Sequence, residues 1–298
     1  MRLFVAFLGL LAVALAAPPL PGQFGRLIKT DKIKIPPPNE LVFGGQKAYQ
    51  GLFPFYVSVN LHFGNAIGSC GGSLLTPRHV LTAAHCNRKP STNDSIVIMG
   101  LDTRREDPYA THGVQVRHVI SAVNHKDFDK PHFLSNDLAV LTLAEPFELT
   151  NYVQLTNIPV DDSELQKQYW ATVCGFGAYK IENKTLYYSD NLLYAYIPLI
   201  DSEKCEKRWS QLDEHTQICA GLNGTGSGPG DSGGPLFMPR GGKNWQIGVV
   251  SFGSGRAREL ANQADHPAVY VRASSYCPWL TEKTNGEFQC GNANCKMY

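Results

Sequence analysis

The stretch GPGDSGGPL, Gly228–Leu236, sets Asp231 and Ser232 side by side among four glycines and two prolines. Alone, such a composition marks a turn. A serine hydroxyl is a poor nucleophile at neutral pH, and it needs a base for its proton and donors for the oxyanion formed on attack. Glycines let backbone N–H groups approach a substrate oxygen closely, so the N–H groups of Gly230 and Ser232 are the candidate donors. The same letters satisfy the G-x-S-x-G turn of α/β-hydrolases, with Asp265 and His266 downstream in ADHP. That fold places a helix straight after the serine, and Gly233-Gly234-Pro235 is a poor helix start. It is therefore rejected.

The rest of the chain reads as strands. Short alternating or β-branched runs, FYVSVNL, SIVIMG, VRHVISAV, DLAVLTL, NLLYAYIPL, WQIGVVSF and AVYVRA, are separated by Gly, Pro and Asn. This texture indicates an all-β sandwich or barrel, and its length suggests two β units joined near residue 150. Helix signals are few: DSEKCEKRWSQL, with an N-cap at Asp201 or Ser202, and SSYCPWLTEK near the end.

The amino terminus, MRLFVAFLGLLAVALAA, has a basic residue, an apolar run and small residues at Ala14 and Ala16. This is the layout of a secretory signal cleaved after Ala16, and the run is too short to span a bilayer. Residues 17–41 are rich in proline with scattered lysines and read as a removable or flexible segment. Secretion makes the eight cysteines candidates for disulfides. The sequons at Asn93, Asn183 and Asn223 are candidate glycosylation sites on the same route. A net charge of +1 gives no reason to expect nucleic acid as a partner.

Two further residues keep company with Ser232: His85 in LTAAHC and Asp137 in SNDLAVLTL. With VFGGQKA, LTAAHC, NDLAVL, GDSGGPL and VVSFG in this order, the chain from Val42 to about Trp279 resembles the chymotrypsin-like serine proteases. The resemblance implies two six-stranded antiparallel β-barrels, about 42–150 and 151–285, with a short C-terminal helix and a tail at 286–298. It also implies peptide-bond hydrolysis in the cleft between the barrels. Ser232 then matches the nucleophile, His85 the general base and acid, and Asp137 the carboxylate that orients the imidazole. An inactive homologue acting as a binding or regulatory protein is the alternative, and the presence of all three residues argues against it. No cofactor or metal is implied, because Leu101 stands where calcium-binding relatives place an acid. The implied partners are protein or peptide substrates and protein protease inhibitors, and the expected form is a secreted monomer with no attachment to a membrane.

The resemblance also answers why an aspartate precedes the serine. Cleavage after Leu41 would free the amine of Val42, which in the family turns inward to pair with the acid matched by Asp231. The precursor is then a zymogen. Leu41 is neither Lys nor Arg, which speaks against a trypsin-like activator. By the same matching, Gly226 lies at the base of the primary pocket with Ser227 beside it. Its walls comprise Ser251, Phe252, Gly253 and Ala268. With no acid at the base, the expected specificity is for Leu, Met, Phe or Tyr rather than Lys or Arg. Arg256 and Gly228 replace the rim disulfide of many relatives. The implied disulfides are Cys70–Cys86 and Cys205–Cys219, which leaves Cys174, Cys277, Cys290 and Cys295 with three pairings open, a Cys290–Cys295 hook among them.

Overall fold

Alternation of residue types along the strands builds two barrels that share a seam. The computed structural model describes residues 44–63, 66–88, 91–182 and 185–293, with only the backbone at 91–93. The signal segment, residues 17–41, Val42, Asn183 and Cys295 lie outside the described residues, as does the side chain of Asn93.

The chain enters through β1 (Gln46–Lys47) and then forms β2 (Tyr56–Phe63), β3 (Ala66–Thr76), β4 (His79–Thr82), β5 (Ser91–Met99), β6 (Gln115–Asn124) and β7 (Ala139–Leu143). Strands β2 to β7 close into an antiparallel barrel in the order β2-β3-β4-β7-β6-β5. In β2, Val57, Val59 and Leu61 point inward to a core with Leu74, Val80, Val97, Met99 and Leu141. Tyr56, one residue out of phase, faces away from it and packs with Phe176 and Phe237 of the second barrel. This is the two-residue period of a strand buried on both faces.

The second barrel consists of β8 (Trp170–Gly175), β11 (Leu193–Ile200), β12 (Gln217–Ala220), β13 (Pro235–Arg240), β14 (Lys243–Phe252) and β15 (Ala268–Arg272). These pair antiparallel in the order β11-β12-β15-β14-β13-β8, and β8 closes back on β11. A separate pair, β9 (Ala178–Glu182) and β10 (Thr185–Tyr188), stands beside it. The two six-stranded barrels agree with the expected architecture. One boundary needs correction: β1 pairs with β11, Gln46 opposite Tyr194, so the start of the chain belongs to the second barrel's sheet.

Helices are short: α1 (Ser163–Gln166), α2 (Ser202–Arg208), α3 (Ala257–Leu260) and α4 (Cys277–Lys283). The two helices expected from sequence are α2 and α4, and Asp201 caps α2 by accepting from Glu203 N at 2.9 Å. No helix among the described residues is long and apolar enough to cross a membrane. Residues 286–293 do not trail free as a tail, because Phe288 is buried with Leu280 and Tyr276 against Leu75, Leu138 and Val249. A disulfide between Cys277 and Cys290 fastens them, so the Cys290–Cys295 hook is not formed. Cys174 is buried and unbonded, and the Cys70–Cys86 and Cys205–Cys219 disulfides are both present.

Candidate active site

Strand β4 ends at Thr82 and runs into a short 3-10 turn, Ala84–Asn87, that presents His85. The Cys70–Cys86 disulfide ties this turn to β3. Asp137 lies two residues before β7 and is fully buried. An isolated buried carboxylate is strongly unfavourable, so its oxygens must be satisfied. Asp137 Oδ1 accepts from the backbone N–H of His85 at 2.7 Å, and Oδ2 lies 2.7 Å from His85 Nδ1. Oδ2 also accepts from Ser251 Oγ at 2.6 Å. With Nδ1–H donated to the carboxylate, Nε2 is left as the basic nitrogen. Tyr276 donates to Asn136 Oδ1 at 2.8 Å and holds the loop on which Asp137 sits.

Ser232 comes from the second barrel, on the turn before β13, and that turn is docked on the first barrel. Gly71 N donates to Ser232 O at 2.7 Å, and Thr82 Oγ1 donates to Gly71 O at 2.8 Å. Gly233, at φ +80, is pressed against Thr82 and Ala83, so that any side chain there would collide with the strand that delivers His85. The nucleophile candidate and the base candidate are thus held by adjoining backbone. No hydrogen bond joins Ser232 Oγ to His85 among the described residues, and such bonds are often long without substrate. The N–H groups of Gly230 and Ser232 have no acceptor among the described residues, whereas those of the neighbouring Asp231, Gly233 and Gly234 all do.

Asp231 is 1% exposed. Its Oδ1 accepts from Gly177 N at 2.7 Å and its Oδ2 from Gly228 N at 2.8 Å. Burial outweighs these bonds and the nearby Arg104 cation, and pushes the carboxyl up from 3.8 to about 6. Gly177 must be glycine, because a Cβ would meet the Asp231 carboxylate.

Beside Ser232 opens a pocket of about 130 Å³ lined by Ser227, Ser251, Phe252, Gly253 and Ala268, all expected, and by Val250 and Leu260. Gly226 does not line it: a side chain there would run into the buried Gln263, whose amide lies beneath the loop. The base is instead Ser227, whose Oγ accepts from the fully buried Tyr270 hydroxyl at 3.1 Å. Arg256 points outward and pairs with Glu259 at 3.0 Å. Leu260 is among the lining residues that sequence reading missed; the available signal was that it is the one large apolar residue between Ser254 and Pro267. A larger cavity of about 530 Å³, between α2 and β12, shares none of these residues. Asn223 is exposed on its loop, near Asn262.

The family model described as Trypsin matches residues 42–280. The chain is 35% identical to mouse (Mus musculus) chymotrypsin-C over 255 residues, which covers 83% of this chain and 91% of that protein. Rat (Rattus norvegicus) chymotrypsin-C is 34% identical over 254 residues, with the same coverage of 83% and 91%. The venom serine protease Bi-VSP of Bombus ignitus is 32% identical over 251 residues, 79% of this chain and 66% of that protein. With two closed barrels, a buried carboxylate holding an imidazole and a serine turn docked beside them, the chain belongs to the trypsin family, as a serine endopeptidase of the chymotrypsin-like fold acting on protein substrates.

Proposed function

We propose that the chain is made as a secreted zymogen and, once cut after Leu41, cleaves proteins after apolar residues through Ser232, His85 and Asp137. The observation that carries this reading is the grip of Asp137 on both Nδ1 and the backbone N–H of His85, at 2.7 Å each, from a fully buried position. Ser232 Oγ attacks the scissile carbonyl while His85 Nε2 takes its proton. The oxyanion accepts hydrogen bonds from the two unoccupied N–H groups, those of Gly230 and Ser232. His85 then delivers the proton to the departing amine, and a water activated by the same nitrogen frees the acyl group. Asp137 stays ionised and stabilises the imidazolium through each transfer.

The zymogen part of the reading rests on Asp231, a buried carboxylate whose two bonds both come from backbone N–H groups, those of Gly177 and Gly228. The ammonium of Val42, freed from the 17–41 segment, is its proposed counter-charge. Secretion by way of residues 1–16, glycosylation at Asn93, Asn183 or Asn223, a monomeric state and inhibition by protein inhibitors belong to the same proposal. The experiment is peptide-library profiling and fluorophosphonate labelling of the processed protein, with N-terminal sequencing. Labelling lost in Ser232→Ala, cleavage after apolar residues and a terminus at Val42 are expected. Labelling that survives Ser232→Ala, or a Lys/Arg profile, overturns it.

A further inference from the structure

The 130 Å³ pocket is small beside the roughly 300 Å³ or more of ordinary ligand sites. It is sized for one side chain. Most of its lining comes from strands β14 and β15 and from the serine turn, which the barrel fixes. Leu260 is different, because it reaches the pocket from the one-turn helix α3 and is nevertheless 4% exposed.

A single helical turn has almost no stability of its own, so its neighbours must fix α3. Glu259 accepts from Arg208 Nη2 at 2.6 Å, Ser254 Oγ at 2.6 Å and Arg256 Nη1 at 3.0 Å. Arg208 belongs to α2, which is fastened by the Cys205–Cys219 disulfide. At the other end, Gln263 Nε2 donates to Leu260 O at 3.3 Å and to Ser227 O at 2.8 Å, bridging α3 to the pocket base. The backbone that carries Leu260 is thus tied on both sides, and its side chain is buried against the pocket.

We propose that Leu260 is a specificity-determining residue that limits the residue on the acyl side of the scissile bond (P1) to aliphatic side chains and bars aromatic rings. This rests on the endopeptidase reading and narrows its specificity. An apolar cavity of about 150 Å³ is known to hold a benzene ring. At about 130 Å³ the pocket is near that size, so one wall side chain can decide whether a ring is accommodated, and Leu260→Ala removes three carbons from that wall. A site that discriminates by one methylene reaches roughly 10–200-fold, and a ring against an isobutyl group lies in that range.

The test compares kcat/KM for matched peptides with Leu or Phe at P1, in the processed wild type, Leu260→Ala and the milder Leu260→Val. Each is first titrated by fluorophosphonate labelling, so that only folded, competent sites are counted. The wild type is expected to prefer Leu by at least about 10-fold. The Leu/Phe ratio should fall at least about 10-fold in Leu260→Ala and by a smaller step in Leu260→Val, through gain on Phe rather than loss on Leu. A wild type that prefers Phe, or variants that label fully and keep the wild-type ratio, overturn the role of Leu260 alone. A wild type that neither labels nor hydrolyses overturns the endopeptidase reading and this inference with it.

Discussion

Removing the charge of Asp231 separates the two states in which that residue is proposed to act. The carboxyl is pushed up from 3.8 to about 6 by burial. At about 1.36 kcal/mol per pH unit, the gap means that holding it ionised in the folded chain costs about 3 kcal/mol at about pH 7.5. The sign follows from proton binding. The folded pKa lies above the unfolded one, so the uncleaved chain gains this stability fully below pH 3.8 and loses it as pH rises through about 6. Roughly half of the loss falls between about pH 5 and 7.5, on the order of 1–1.5 kcal/mol. In urea unfolding of the uncleaved chain carrying Ser232→Ala to exclude self-cleavage, stability should drop by this much more than in the same chain with Asp231→Asn. After cleavage at Leu41 the extra drop should vanish, because the ammonium of Val42 then balances the carboxylate. The mature Asp231→Asn enzyme should lose activity by about the 3–5 kcal/mol of a broken buried pair, roughly 10²- to 10³-fold or more in kcat/KM. Equal pH dependence in the precursor that keeps Asp231 and in the one carrying Asp231→Asn, or full activity in mature Asp231→Asn, would refute the reasoning.

Ser251 donates at 2.6 Å to the carboxylate that holds His85. A bond to an ionised group contributes about 1.5–3 kcal/mol, so Ser251→Ala should lower kcat about 10- to 100-fold with KM little changed; steady-state kinetics on an aliphatic substrate measure both, and an unchanged kcat would dismiss the contact. Cys277 and Cys290 close a loop with a sequence separation of 13. Replacing both with Ser should cost about 3 kcal/mol and lower Tm by roughly 6–12 °C in a chain of this size, and calorimetry would expose a smaller effect.

Legibility followed local physics. His85, Asp137 and Ser232 became candidates through the resemblance, whose motifs hold neighbours of fixed type, as Gly233 lies against Thr82. Strands with alternating apolar residues, such as Val57, Val59 and Leu61 in β2, could be read from their period. Strands β3 and β13 could not, since Gly71, Gly72, Pro235 and Pro239 look like turn residues until the opposing strand supplies their partners. Gly226 is misplaced by matching on position, which says nothing of what packs behind it, and Gln263 is 37 residues further along the chain. Leu260 escapes for the same reason. The helix that carries it is tied to α2 by the Arg208–Glu259 ion pair, which no local pattern encodes.

The division of the site between barrels makes their packing part of the chemistry. His85 and Asp137 belong to the first barrel, Ser232 and Ser251 to the second, and Asp137 is bonded from both sides. One apolar cluster of the seam brings Leu75, Leu81, Leu138 and Val140 from the first barrel against Val249 and Val271 from the second. The C-terminal residues Tyr276, Leu280 and Phe288 complete it. Cores are close-packed, so a void at the seam is felt by the residues of both barrels that line it. A misplacement of about 1 Å at reacting atoms can cost about 10²-fold in rate, which makes activity a more sensitive gauge of this seam than stability. The packed segment 286–293 contributes Phe288 to this cluster, and so takes part in the contact between the two barrels that carry the candidate residues.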